Sequence, residues 1–327
     1  MTAPPPASLL ERRLVIVTGK GGTGKTTVAA SLGVAAAARG RRVLLVEVGR
    51  DEQIPGLFRP GSPPAGYAGR EVHPGITAMR IDPFAALGEY LALQLGLAAP
   101  VELVLRNRAF RQLMEAAPGW RELITLGKVW HLEQMLASPG RARWDLIVVD
   151  APATGHGVTF LSAPRVVVSA VQTGPLRRHA AQVEALIEDP VRTALLPVAL
   201  AEELPVRETG ELVRKVTSDV GITVDRVVVN AIVSRPFPVG LDDLDTRLGR
   251  LPPNAALGAL PTPRVLAACA HHLRKRFELH ERWARMLAES IGRPCVRLPY
   301  LRDGVEGPAS LAALGAALLA ELPAEVA

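Results

Sequence analysis

Apolar residues follow one another along this chain in two rhythms. Short, nearly unbroken runs at Leu14–Val17, Val43–Val48, Ile76–Ile81, Leu146–Val149, Ala194–Leu200 and Val227–Val229 have the length and β-branched content of buried strands. Pro197 weakens the fifth of these. Pro294–Pro299 reads as a last strand. Between the runs the spacing turns helical. Val28–Ala38 is Ala-rich and ends near Gly40, a residue suited to a helix C-terminus. Glu208–Ser218, Arg264–Ile291 and Ala309–Leu322 are further helices. Val166–Val168 favours a strand, within surroundings that read helical through Ile187. Gly49–Gly69 is a Pro/Gly-dense loop, and residues 235–263 are loop-like with an acidic patch at Asp242, Asp243 and Asp245.

From Phe84 to Gly140 no strand pattern interrupts three apolar faces: Phe84, Leu87, Tyr90, Leu91 and Leu95; Leu103, Phe110, Leu113 and Met114; and Trp120, Leu123, Leu126, Val129, Trp130, Leu132, Met135 and Leu136. These faces pack against each other, or else leave an adaptable groove. The alternation predicts an α/β domain over residues 12–325, built on a doubly wound, mostly parallel sheet. It carries a helical insert at 84–140 and a smaller helical/loop insert at 238–292, behind a flexible N-terminus at 1–11.

The first run leads into Thr18-Gly19-Lys20-Gly21-Gly22-Thr23-Gly24-Lys25-Thr26-Thr27, which fits G-x-x-x-x-G-K-[ST] between a strand and a helix. Glycines at these places let backbone N–H groups turn around phosphate oxygens, and the helix start adds its positive dipole end. Lys25 is placed for the β/γ-phosphates and Thr26 for Mg²⁺. Trp144–Asp150 is a second landmark: an apolar strand ending in Asp150, where a carboxylate meets a metal ion and its waters.

Composition narrows the class further. The chain has 327 residues, 48% of them apolar, and a net charge of +6 carried almost wholly by Arg. That arginine bias reads as compositional rather than as a nucleic-acid footprint. Cys269 and Cys295 make neither a disulfide framework nor a metal pair, which fits a reduced, cytoplasmic setting. Neither a signal peptide nor an apolar run of about 18 residues is expected.

Lys20, a second lysine within the loop, resembles the signature of the deviant Walker A ATPases, in which it reaches across a dimer to the partner's nucleotide. Asp150-Ala-Pro-Ala-Thr-Gly-His156 is similar to the switch II motif of the arsenical pump and tail-anchored targeting ATPases. Glu202 with Arg207-Glu208-Thr209, the strand ending at Asn230, Leu298–Leu301 with Glu306-Gly307, and Ile81-Asp82-Pro83 resemble further segments of that family, in order. The resemblance implies ATP/ADP and Mg²⁺ as ligands. Gly19, Gly21, Gly22, Thr23, Gly24, Lys25, Thr26 and Thr27 would cradle phosphate, with Asp150 holding a metal-bound water. Asn230, with Pro299, Tyr300 and Leu301, would read adenine, and Glu202 would approach the nucleotide across the interface.

One departure matters. The family's water-positioning Asp of switch I falls on Gly49. Glu47 and Asp51, two residues to either side, are the candidate substitutes; each is equally readable as a structural or a solvated acid. The resemblance therefore implies a nucleotide-switched ATPase, slow in hydrolysis, acting as a homodimer or beside a sister ATPase. Its output would be a hydrophobic client or a membrane partner, at the membrane periphery if not in the cytoplasm. No zinc site is expected, because the Cys-x-x-Cys pair of the eukaryotic targeting enzymes is missing. His156 reads as a switch residue, and His271, His272 and His280 as surface or packing residues. Nucleic-acid binding through Arg264, Arg274, Lys275, Arg276, Arg282 and Arg285 is the less favoured alternative.

Overall fold

The computed structural model describes residues 9–49, 51–95, 105–116, 119–238 and 240–320. Its strands are β1 (Leu14–Gly19), β2 (Val43–Glu47), β3 (Arg70–His73), β4 (Ile76–Arg80), β5 (Leu136–Ser138), β6 (Arg141–Ala142), β7 (Leu146–Ala153), β8 (Thr193–Leu200), β9 (Val227–Ile232) and β10 (Cys295–Pro299). Eight of them form one sheet in the order β10-β9-β8-β1-β7-β2-β4-β3. Every neighbouring pair is parallel except β3 with β4. β5 and β6 make a separate antiparallel hairpin. Every residue of β1 and β2 is buried, as expected of strands covered on both faces.

Alternate residues serve the two faces. Val15 and Val17 join a cluster with α1 (Lys25–Ala37) and the last helix, whose Leu311, Leu314 and Leu318 are buried there. α2 (Ile54–Phe58) adds Ile54 and Phe58 to the same face. Leu14 and Ile16 face the other cluster, shared with Leu126, Phe160, Val183, Leu212 and Leu287. The parallel register brings Gly19, Glu47, Asp150, Leu200 and Asn230 to the same edge of the sheet. That edge is where ligands bind in open α/β sheets.

Pro197 sits in a central strand at no cost in hydrogen bonds. β8 pairs with β9 only from Val198 onward, and before it Leu195 bridges Val224 alone. The ladder skips the one residue that has no N–H to give.

The helical stretch after β4 contains α3 (Pro83–Leu95), α4 (Arg108–Ala116) and α5 (Trp120–Gln134) and ends in the β5–β6 hairpin, which the apolar spacing does not announce. Leu95, Leu103 and Leu113 lie outside the residues whose side chains are described. α5 is anchored in the main core: Leu123, Ile124, Leu126, Val129 and Leu132 are buried, most of them beside Ile147, Val149 and Leu186. Periodicity reveals an apolar face but not what covers it.

α6 (Thr154–Ala170) and α7 (Pro175–Glu188) follow β7. Val166–Val168 is helical here. Val167 and Val168 pack on Leu123, Ala163 and Ala180, so tertiary contacts override the β-branched preference. Arg165 ties α6 to Glu184 and Glu188 of α7. α8 (Glu203–Lys215) follows β8, and α9 (Leu244–Gly249), α10 (Pro263–Ile291) and α11 (Pro308–Leu319) complete the chain. Asp245, between β9 and β10, is 6% exposed and accepts from Arg274 and His271 of α10. Asp242 and Asp243 pair with Arg235 and Arg247. The expected acidic patch is thus a set of local ion pairs.

The N-terminal expectation needs correcting at its end. Leu9–Glu11 form a short 3-10 turn with Leu9 and Leu10 buried, because two adjacent leucines find apolar cover. Residues 1–8 and 321–325 lie outside the described residues. Among the described residues, no helix is long and apolar enough to cross a membrane.

The anchoring of α5 has a direct check. Leu126→Ala, at a side chain 1% exposed, should cost about 2–5 kcal/mol in urea unfolding. Leu93→Ala, on α3 and 69% exposed, should cost less than about 0.5 kcal/mol.

Candidate active site at the carboxyl edge of the sheet

β1 runs against the wall of β8 as it ends. A Cβ on Gly19, whose φ is +152°, would lie 2.1 Å from the Val198 carbonyl oxygen, so no other residue fits. Gly24 caps α1 in the left-handed region at φ +86°, and a Cβ there would meet Asn230 Nδ2 at 2.3 Å. Between them the chain folds around one carbonyl: Thr23 Oγ1 and Lys25 Nζ donate to Lys20 O at 2.9 and 3.0 Å. Thr23 is buried, while Gly21 and Gly22 form the exposed crest of the loop. Burial lowers the Lys25 pKa, and Asp150 partly restores it.

Thr26 Oγ1 donates to Asp150 Oδ2 at 2.6 Å. The other oxygen, Asp150 Oδ1, is buried with no partner among the described residues. Burial raises the Asp150 pKa against the pull of Thr26 and Lys25. Glu47 lies directly across the β2–β7 ladder from Asp150. It is only 4% exposed, and its Oε1 accepts the N–H groups of Gln53 and Ile54 at 2.6 and 3.1 Å, at the start of α2. Its Oε2 has no partner among the described residues. Burial pushes the Glu47 carboxyl up to about 7, although the two N–H groups oppose the shift.

The cleft between these groups is bounded by Lys25, Thr26, Glu47, Gly49, Asp51 and Asp150. Two buried carboxylate oxygens without partners, beside a threonine hydroxyl, are the hard oxygen chemistry that suits Mg²⁺. Among the described residues, no group of three or more His, Cys, Asp or Glu could hold a metal ion. A cation here must take its remaining ligands from water and phosphate.

One Glu47 oxygen therefore fixes the start of α2, as its structural reading expects, and the residue also lines the cleft. Asp51 is exposed on the rim of that cleft. At Gly49 a Cβ would meet nothing closer than Asp51 O at 4.0 Å, so nothing steric explains the glycine.

Lys20 points away from its own cradle, with Nζ on Glu208 Oε1 at 2.8 Å. Glu208 lies within Arg207-Glu208-Thr209, where sequence pattern alone gives it no role. Asn230 donates from Nδ2 to Thr23 O at 2.9 Å, so it ties β9 to the phosphate loop and keeps its amide oxygen and its second N–H. Ala231, next to it, has φ 56°, the one positive φ outside glycine among the described residues. Such backbone persists only where its surroundings enforce it. Tyr300 N donates to Ile232 O, which brings Pro299, Tyr300 and Leu301 to the same end of β9. Pro299 and Tyr300 are exposed, and Arg276 covers the Tyr300 ring at 5.3 Å. Glu202 is exposed at the start of α8.

No turn separates Asp150 from the next helix. β7 continues to Ala153 and α6 starts at Thr154, so the expected switch II turn is a helix N-terminus. The side chains of 153–156, His156 included, lie outside the description. His280 is 8% exposed and its Nδ1 accepts from Val233 N, a packing role. His271 pairs with Asp245. Of the six cations of the basic helix, Arg274 and Lys275 are paired with acids, and Arg276 and Arg282 lie over aromatic rings. Cys269 is exposed, while burial pushes the Cys295 thiol up to about 12.

The Glu47 carboxyl generates a pH prediction. Its folded pKa of about 7 lies above the ordinary 4.5, so the stability it confers is complete below 4.5 and is lost as pH rises through 7. In metal-free buffer, wild type should lose on the order of 3 kcal/mol relative to Glu47→Gln across that window, read by urea unfolding. Parallel pH profiles would contradict the placement.

The chain is similar in sequence to known ATPases. Residues 12–178 match the model of the family described as Anion-transporting ATPase. The chain is 32% identical over 319 residues to ATPase BagA of Mycobacterium tuberculosis, covering 92% of this chain and 91% of that protein. It is 28% identical to ATPase GET3 of Rhodotorula glutinis over 67% of this chain and 70% of that one. It is 26% identical to the arsenical pump-driving ATPase of Escherichia coli over 67% of this chain and 39% of that one. Similarity that takes in the phosphate loop and Asp150 and extends over nine-tenths of the sequence settles the assignment: the chain belongs to the anion-transporting ATPase family and is an ATP-hydrolysing enzyme.

Proposed function

We propose that this ATPase binds Mg²⁺-ATP at the carboxyl edge of its sheet and works as a nucleotide-switched dimer. The observation that carries this reading is the position of Lys20. Lys25 already occupies the cradle, while the Lys20 ammonium lies outside it on α8. A lysine so placed is directed away from its own phosphates, on the side from which a second subunit's would approach. Thr26 and Asp150 would hold Mg²⁺, Asp150 through a water. Once bound, the ion would neutralise charge on the phosphate oxygens. Asn230 and the Pro299–Leu301 loop would border the base, and Glu202 would approach it from the other subunit.

Glycine at 49 leaves the attacking water without its expected acid. In this reading the second oxygen of Glu47 orients that water, with Asp51 on the exposed rim of the cleft. Positioning carries most of phosphoryl transfer, so binding is tight and turnover slow. Closure of the dimer would couple to an apolar client or a membrane partner. Leu93 of α3 and Met286 of α10, exposed by 69% and 43%, are surfaces available for it. The protein would act in the cytoplasm and meet a membrane through that partner. Gly49 also favours a second arrangement, in which a sister ATPase supplies the intact switch I.

Steady-state turnover of the purified chain should fall below about 0.1 per second and drop at least about tenfold further in Glu47→Gln. Sedimentation should show a dimer with Mg²⁺-ATP that Lys20→Ala abolishes while ATP binding is retained. Fast turnover indifferent to both Glu47→Gln and Asp51→Asn would defeat the catalytic part. A chain that stays monomeric with ATP would favour the sister subunit.

A further inference from the structure

The Lys20–Glu208 contact joins residues 188 positions apart. α8, which carries Glu208, begins just beyond the β8 strand that flanks Gly19. The charges around it pair along the helix: Glu203 with Arg207, and Glu211 with Lys215. Glu208 instead reaches off the helix, to the phosphate loop.

Packing, not the ion pair, fixes where Glu208 stands. Val206, Thr209, Gly210, Leu212 and Val213 of α8 are buried. A Cβ on Gly210 would lie 3.1 Å from Ser290 Oγ, so α8 lies close against α10. The long Lys20 side chain comes to a carboxylate held by a rigid element. Both partners are roughly 40% exposed, at 37% and 40%. A pair exposed to that degree shifts an equilibrium by no more than about fivefold. That is minor for folding, yet it acts directly on where the Lys20 ammonium is found.

We infer that Glu208 is a positioning residue that holds Lys20 in cis, and that the lysine must leave Glu208 before it can engage a second subunit's nucleotide. This rests on the reading of Lys20 as a trans-acting group. The free chain then carries its signature lysine in a stored position. The packed α8–α10 pair gains a line to the nucleotide, because any displacement of α8 changes the hold on Lys20. The interaction is purely electrostatic and competitive: the same ammonium donates either to a carboxylate of its own chain or to a phosphate of the other.

The test is sedimentation of the full chain across a Mg²⁺-ATP titration, with steady-state kinetics alongside. Glu208→Gln should lower the ATP concentration at half-dimerisation by about two- to fivefold. It should lower KM with kcat unchanged, a split that loss of α8 packing would not produce. Lys20→Ala should abolish the dimer, and Lys20→Ala with Glu208→Gln should abolish it equally. Two outcomes overturn the inference alone: Glu208→Gln matching wild type while Lys20→Ala abolishes the dimer, or the double variant regaining it. The second would mean that Glu208 acts by repelling phosphate rather than by holding Lys20. No ATP-dependent dimer, or one that ignores Lys20→Ala, would overturn the trans reading of Lys20 and this inference with it.

Discussion

Two carboxylates, Glu47 at the end of β2 and Asp150 within β7, stand side by side across the ladder, each with one buried oxygen that no described residue satisfies. The rest of the site follows from that arrangement. Apolar strands drive the acids to the edge of the sheet, and burial then penalises their charge. Thr26, Lys25 and the N–H groups of Gln53 and Ile54 relieve part of the penalty. What remains is a concentrated demand for positive charge beside a loop shaped for phosphate. In the proposed function a cation and a nucleotide would answer that demand, and the ligand would complete the electrostatics of the fold.

Steric closeness does the complementary work. Gly19 against the Val198 carbonyl and Gly24 against Asn230 bring three strand ends within contact of one loop. Asn230 then clasps Thr23 from β9. The loop is therefore held by the sheet on one side and by β9 on the other, while Lys20 reaches outward to α8. Cradle and outward lysine are separate devices on one short segment. Separating them sends positive charge two ways: Lys25 into the loop, on Lys20 O, and Lys20 outward, on Glu208.

Much of this was legible in the sequence, because it depends on local pattern. Unbroken apolar runs found six strands of the main sheet and their parallel arrangement, and the spacing from Gly19 to Thr27 found the cradle. Asp150 was readable from the strand that precedes it. What escaped depends on long-range packing. The edge strand β3 is short and polar, so it carries no apolar signature. α2 has only five residues, inside a loop dense in Pro and Gly. Val166–Val168 was ambiguous because propensity is a weaker influence than the contacts of Val167 and Val168. Spacing could not choose between the structural and catalytic readings of Glu47, because its hold on the start of α2 depends on how the following loop folds back. Glu208 had no visible role because its partner lies 188 positions away.

The account's central claim is that the acid pair and the phosphate loop are completed together by a cation and a nucleotide. Thermal unfolding with ATP, compared in Mg²⁺ and in EDTA, tests this most directly, because a ligand bound only to the folded state raises its stability. The account predicts a larger rise in Tm with Mg²⁺-ATP than with ATP alone, and collapse of that difference in Asp150→Asn. Equal rises with and without Mg²⁺, or a difference that survives in Asp150→Asn, would contradict it.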